Sequence, residues 1–226
     1  MAEFSELEIK TILQVNSNEL ASMREQGDIE FEQREHSYFY LLPEKQVEIA
    51  TQLNEQLIDW HVIRHKFTLA NKPLAPKTLL ALNKLVYRVL LPINENIGKP
   101  KVTYGFTSFK LKNFIQKNSS SGTAPSLDQH SAYEVNSKGN QICSRGGAAC
   151  DFYVEGVAAS DIVRYIVNNL SFDRIYFYGN DRPVHVSFHL ESLQHHLQVM
   201  GTSDSGRRYP ASKAFGEDAK LLAEKL

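Results

Sequence analysis

Ser144–Gly156 reads SRGGAACDFYVEG, and its alternation decides how the rest of the chain is read. As an extended strand it places Ala149, Asp151 and Tyr153 on one face and Cys150, Phe152 and Val154 on the other. Downstream, DIVRYIVNNL carries Ile162, Val163, Ile166 and Leu170 along one side of a helix, with Ser160 placed to cap it. DRIYFYG then reads as a strand, Asn180–Arg182 as a turn, and PVHVSFHL as the hairpin partner. In that last strand Val184, Val186, Phe188 and Leu190 face one way, and His185, Ser187 and His189 the other. Asp151 and His185 therefore lie on the less apolar faces of their strands, as a site on one sheet face requires.

Upstream, APKTLLALNKLVYRVLLPINENIGKP repeats Leu79, Leu82, Val86, Val89, Leu90 and Ile93 at helical spacing. Pro76 opens this helix, the pattern frays at Pro92, and Gly98 with Pro100 closes it. KVTYGFTSF is a short strand, and Lys117–Gln141 has loop composition at a length that points to a functional or mobile segment. Residues 1–65 read as a helical extension: Pro43 and Glu44 start a helix striped by Val47, Ala50, Leu53 and Leu57. Residues 66–200 form the main domain, and residues 201–226 a polar tail with a short helix. The fold class is α+β.

The chain has 226 residues, 42% hydrophobic and 23% charged, with a formal net charge of -1, so bulk charge gives no reason to expect a nucleic-acid partner. Two cysteines are too few for a disulfide scaffold and suit a reducing compartment. The N-terminus MAEFSELEIKTILQ has no signal-peptide pattern, and no run reaches the roughly 20 apolar residues needed to span a bilayer. A cytoplasmic protein without a membrane is expected; export would need a non-classical route.

The order of these elements resembles the D-alanyl-D-alanine carboxypeptidase-like zinc peptidases, which have the Hedgehog/DD-peptidase fold. Pro73–Ser108 resembles the family's helix and first strand, and the resemblance extends over Phe67–Leu190. Gly147, Ala149 and Asp151 match the family's Gly-x-Ala-x-Asp, and His185 its later histidine in a Val-His-Val setting. The resemblance implies a small antiparallel sheet with packed helices, and a Zn2+ ion with Asp151 and His185 as two of three protein ligands. The expected chemistry is acidification of a water for attack on an amide.

The chain departs from the family in two places. Ser144 stands where the family has its first histidine, and Thr107 where it has the arginine that holds the substrate carboxylate. A displaced ligand, His130 or Cys143, would complete the set; His130 keeps the family's ligand chemistry, and Cys143 offers a thiolate one residue from the family position. Asp181 is the nearest acid before His185 and the candidate general base. Arg145 is the candidate anion anchor and His189 a candidate substrate contact. Elsewhere, His61 and His65 are read as two partly exposed histidines beside Trp60, and His195–His196 as a polar segment. The implied function is hydrolysis of a peptide or amide bond in a peptide or peptidoglycan-like, cell-wall-related substrate. The competing reading is a non-catalytic module that keeps the fold, has lost the zinc site and binds a protein partner.

Overall fold

A computed structural model describes residues 1–13, 15–27, 29–118 and 129–226, which form two compact units, Met1–Gln52 and Leu53–Leu226. Of the Lys117–Gln141 loop, residues 119–128 lie outside the described residues.

The first unit corrects the reading of a purely helical extension. It contains β1 (Ala2–Ser5), α1 (Glu6–Leu13), α2 (Ser17–Gln26), β2 (Glu30–Arg34), β3 (Ser37–Leu42) and the start of α3 (Glu44–His65). The strands form an antiparallel sheet in the order β1-β3-β2. Tyr38, Phe39 and Tyr40 favour the extended backbone of β3, and Tyr40 is wholly buried with Ile9 and Leu20. Asn16 begins α2 with a reciprocal capping box to Glu19, and Gly27 ends it at φ 72°.

The second unit continues from α3 through α4 (Pro76–Leu85), a π-helical turn (Val86–Leu90), α5 (Leu91–Asn96), β4 (Pro100–Tyr104) and α6 (Phe109–Asn118). Then follow β5 (Ala148–Val154), α7 (Ala159–Asn169), β6 (Arg174–Phe177), β7 (Val184–Phe188), β8 (His196–Thr202), β9 (Arg208–Phe215) and α8 (Glu217–Ala223). The π-helical turn explains the fraying at Pro92. Proline has no N–H to donate and its ring crowds the preceding turn, so the helix widens, with Leu91 N bonding Val86 O, and continues. Ser160 is not the cap of α7: the helix starts after Ala158, and Ser160 N donates to Asn180 Oδ1 at 3.0 Å.

Six strands form one sheet in the order β4-β5-β7-β6-β8-β9, antiparallel except for the parallel pair β6-β8. The tail is thus not a polar appendage, since β8 and β9 extend this sheet and α8 packs against both. One sheet face is apolar: Cys150, Phe152, Ile175, Val184 and Val186 are buried under α4 and α7, whose Leu82, Leu85, Ile162 and Ile166 are also buried, and Leu197 is buried on β8, against which α8 packs. Burial, then the Asp151 charge, push the Cys150 thiol well above its ordinary range, as suits an inert core cysteine. The opposite face carries the polar alternates, with the register Tyr104–Asp151–His185–Tyr176 running across four strands. Among the described residues no helix is long and apolar enough to cross a membrane.

Candidate metal centre

Strand pairing sets the first two groups. Asp151 on β5 lies opposite His185 on β7, and the His185 Nδ1 donates to Asp151 Oδ1 at 2.8 Å. A bulge between Val102 and Tyr104 of β4 brings Tyr104 beside Asp151. The Tyr104 ring packs on Trp60 of α3 in a small core with Phe67, Leu111 and Ile115.

The chain beyond β4 then places the third. Phe106 N donates to Leu57 O at 2.7 Å, while Trp60 Nε1 and Asn71 Nδ2 both donate to Phe106 O. Held in this way, Gly105–Thr107 forms a rail for His130. Thr107 N donates to His130 O at 2.9 Å, and His130 Nδ1 lies 3.1 Å from Gly105 O. A carbonyl can only accept, so Nδ1 carries the proton and Nε2 faces Asp151 Oδ1 at 3.4 Å.

One ligand atom each from His130, Asp151 and His185 lies within 4.8 Å of the others, and the group can hold a metal ion. Zinc–nitrogen and zinc–oxygen bonds of about 2.0 Å put tetrahedral ligand atoms about 3.3 Å apart. The 3.4 Å separation of His130 Nε2 from Asp151 Oδ1 is close to that edge, whereas the 2.8 Å separation of His185 Nδ1 from the same oxygen is the shorter spacing of a direct hydrogen bond. Both histidines are nearly fully buried, whereas the Asp151 side chain is 28% exposed and is the open side of the group. Burial pushes the Asp151 carboxyl up, but the hydrogen bonds and charges of His130 and His185 outweigh it and hold it well below the usual carboxylate range. Tyr176 stacks on His185 at 4.7 Å between ring centroids, and Tyr104 meets His130 edge-on at 4.5 Å, which fixes both imidazole planes.

The remaining sequence-derived candidates fall elsewhere. Among the described residues Cys143 is not part of the three-residue group, although it is buried. Ser144 is exposed and lines a cleft of about 660 Å³ that Arg145 and His189 also line, so the two candidate substrate contacts share one surface. His189 Nδ1 accepts from Glu191 N and Ser192 N, both at 3.1 Å, and so ends the turn after β7. Asp181 is exposed in the β6–β7 turn and lines a different cleft with Asn180 and Arg182, which the three metal-binding candidates do not line. Thr107 is wholly buried and cannot present a side chain to a ligand as a surface arginine would. His61, read as partly exposed, is buried and its Nδ1 donates to Ile58 O at 2.8 Å.

Gln129 and His196 escaped the sequence reading. Gln129, at φ 66°, donates from Nε2 to Gly146 O at 2.7 Å and to Asp173 Oδ2 at 2.9 Å, tying the His130 segment to the approach to β5 and to β6. His196 stacks on Phe215, and burial, followed by the charges of Arg174, Arg145 and Lys213, pushes its imidazole down to about 4. A histidine depressed from its ordinary value near 6.5 resists protonation in the fold but not in the unfolded chain. Stability is therefore complete above about pH 6.5 and falls by about 1–3 kcal/mol as pH drops toward 4. Urea unfolding at pH 5 and pH 7.5 should show this loss, and His196→Asn should flatten it.

The chain matches no protein-family model, no curated protein and no solved structure.

Proposed function

We propose that the protein is a divergent zinc-dependent hydrolase of a peptide or amide bond, with His130, Asp151 and His185 as the zinc ligands. The observation that carries this reading is the convergence of these three side chains, from a loop and two strands 21 and 34 residues apart in sequence, within 4.8 Å. A zinc ion held there supplies a Lewis acid and an acidified water at neutral pH. The protein's own residues do the remaining work. Gly105 O fixes the His130 tautomer, which points Nε2 toward Asp151. Tyr176 packs on the His185 ring and Tyr104 on the His130 ring, holding both imidazoles in place. Arg145 and His189, which line one cleft, are the candidate contacts for a peptide or peptidoglycan-like substrate.

A second reading, a binding module that has lost catalysis, is favoured by one specific feature. Among the described residues no carboxylate besides Asp151 joins the group, and Asp181 is exposed in another cleft. A general base would then have to come from outside the group. The two readings separate in one assay. Zinc-loaded protein is incubated with acylated dipeptides of L and D configuration and with peptidoglycan fragments, and product is followed by mass spectrometry. Hydrolysis abolished by His130→Ala supports the enzyme; full zinc occupancy with no turnover of any of these substrates leaves the binding module.

A further inference from the structure

Beyond His185, the polar sheet face carries a second cluster on the side away from Thr107. Across β6 and β7, Arg174 lies opposite Ser187, and across β6 and β8, Arg174 lies opposite His196. The period-two alternation puts these three side chains on the same face as Asp151 and His185. Arg174 Nη1 meets His196 Nδ1 at 3.1 Å, and Nη2 donates to Gln194 Oε1. Since a guanidinium only donates, His196 Nδ1 accepts, and the ring proton is on Nε2. That Nε2 is buried without a partner, and so are Arg174 Nε, Ser187 Oγ and Arg145 Nη1. Ser187 is wholly buried and His196 is 6% exposed.

The cluster is therefore a collection of donors short of acceptors. Its nearest carboxylate is committed elsewhere: Asp173 Oδ1 accepts from Gln194 N, Oδ2 accepts from Gln129 Nε2, and Oδ2 is 4.0 Å from Arg174 Nε. Lys213 on β9, opposite Gln198, lies on the same sheet face as His196, and the charges of Arg174, Arg145 and Lys213 bear on His196 together with that of Asp173. Buried donors left unpaired are costly, and an oxyanion, which only accepts, satisfies several at once. Arg145 also lines the cleft shared with Ser144 and His189.

The geometry points to an oxyanion subsite: Arg174, Arg145, Ser187 and His196 bind the carboxylate or phosphate group of the molecule on which the His130–Asp151–His185 centre acts. Its role as a substrate subsite rests on the hydrolase reading; its capacity to bind an anion does not. The selected substrate is an acidic one, anchored beside the reacting bond from the β6–β8 side of the sheet.

The test is a titration of the full-length 15N-labelled protein with inorganic phosphate and, separately, with acetate, following the arginine Nε–H resonances by NMR. Saturable binding of at least one anion is expected. Arg145→Gln and Arg174→Gln should each weaken it about tenfold, as expected for a lost charge-assisted contact, and Lys213→Gln about threefold. Lys213 is exposed and Arg145 partly so, and these two variants carry the test even if Arg174→Gln fails to fold. Preference for phosphate or for acetate identifies the anion class, and either supports the subsite. Absence of saturation with both, or unchanged binding in Arg145→Gln and Lys213→Gln, overturns it. In Asp151→Ala the anion should still bind while zinc does not. Zinc binding without anion binding sinks the subsite alone, and anion binding without zinc binding sinks the metal reading alone.

Discussion

Purified protein is expected to bind about one zinc ion per chain, and His130→Ala, Asp151→Ala and His185→Ala each to lower its affinity by more than about 100-fold, beyond the 10–100-fold typical of outer-shell changes. Each variant removes one of three donors that the fold has already brought within 4.8 Å of one another. The His130 variant discriminates best. Its Nδ1 lies 3.1 Å from Gly105 O, which turns Nε2 toward Asp151 Oδ1 at 3.4 Å. Cys143→Ser should leave zinc binding unchanged, because Cys143 lies outside the three-residue group. Elemental mass spectrometry gives the stoichiometry, and competition with a chromogenic chelator gives the affinity. Loss of zinc in Cys143→Ser with retention in His130→Ala would reverse the ligand assignment. Unsubstituted protein that takes up no metal when zinc is supplied would remove the hydrolase proposal.

Gly105→Ala is expected to destabilise the second unit by about 3 kcal/mol, at the upper end of overpacking costs, because the new atom has nowhere to go. A Cβ there would lie 2.3 Å from Leu57 O and 2.5 Å from Trp60 Cδ1. Leu57 O is also the acceptor for Phe106 N at 2.7 Å, so the backbone cannot retreat without breaking that bond. Retreat would also move Gly105 O, which orients His130, so zinc affinity should fall together with stability. Gly156→Ala is the control. At φ 75° with nothing within 4 Å of its added Cβ, it should cost only the backbone term of about 1 kcal/mol. Urea denaturation of the three proteins, with zinc titration of each, checks both effects. Equal stabilities for the two variants would show that the close approach to α3 does not constrain the site.

The positions missed by sequence reading share a physical cause. In β9 seven of the eight residues are exposed, so this edge strand shows no apolar alternation and its sequence, RYPASKAF, reads as polar linker. β8 pairs in parallel with β6 across an intervening connection, a long-range choice that neither segment encodes locally. In the first unit, Glu30–Arg34 is exposed throughout and forms a strand because β3 supplies the hydrogen bonds.

By itself, the sequence determined the period of each central element. Alternation in Ala148–Val154 and Val184–Phe188 put Asp151 and His185 on the polar faces of two strands, and the 3.6-residue stripes of α4 and α7 supplied the cover for the opposite face. Only the tertiary structure decided that those two polar positions fall directly opposite each other, and that His130 rather than Cys143 meets them. Register and loop path depend on contacts between residues far apart in the chain. Here these are the Leu57 and Gly105 carbonyls that hold His130 in place, and the Gln129 amide that bridges Gly146 and Asp173.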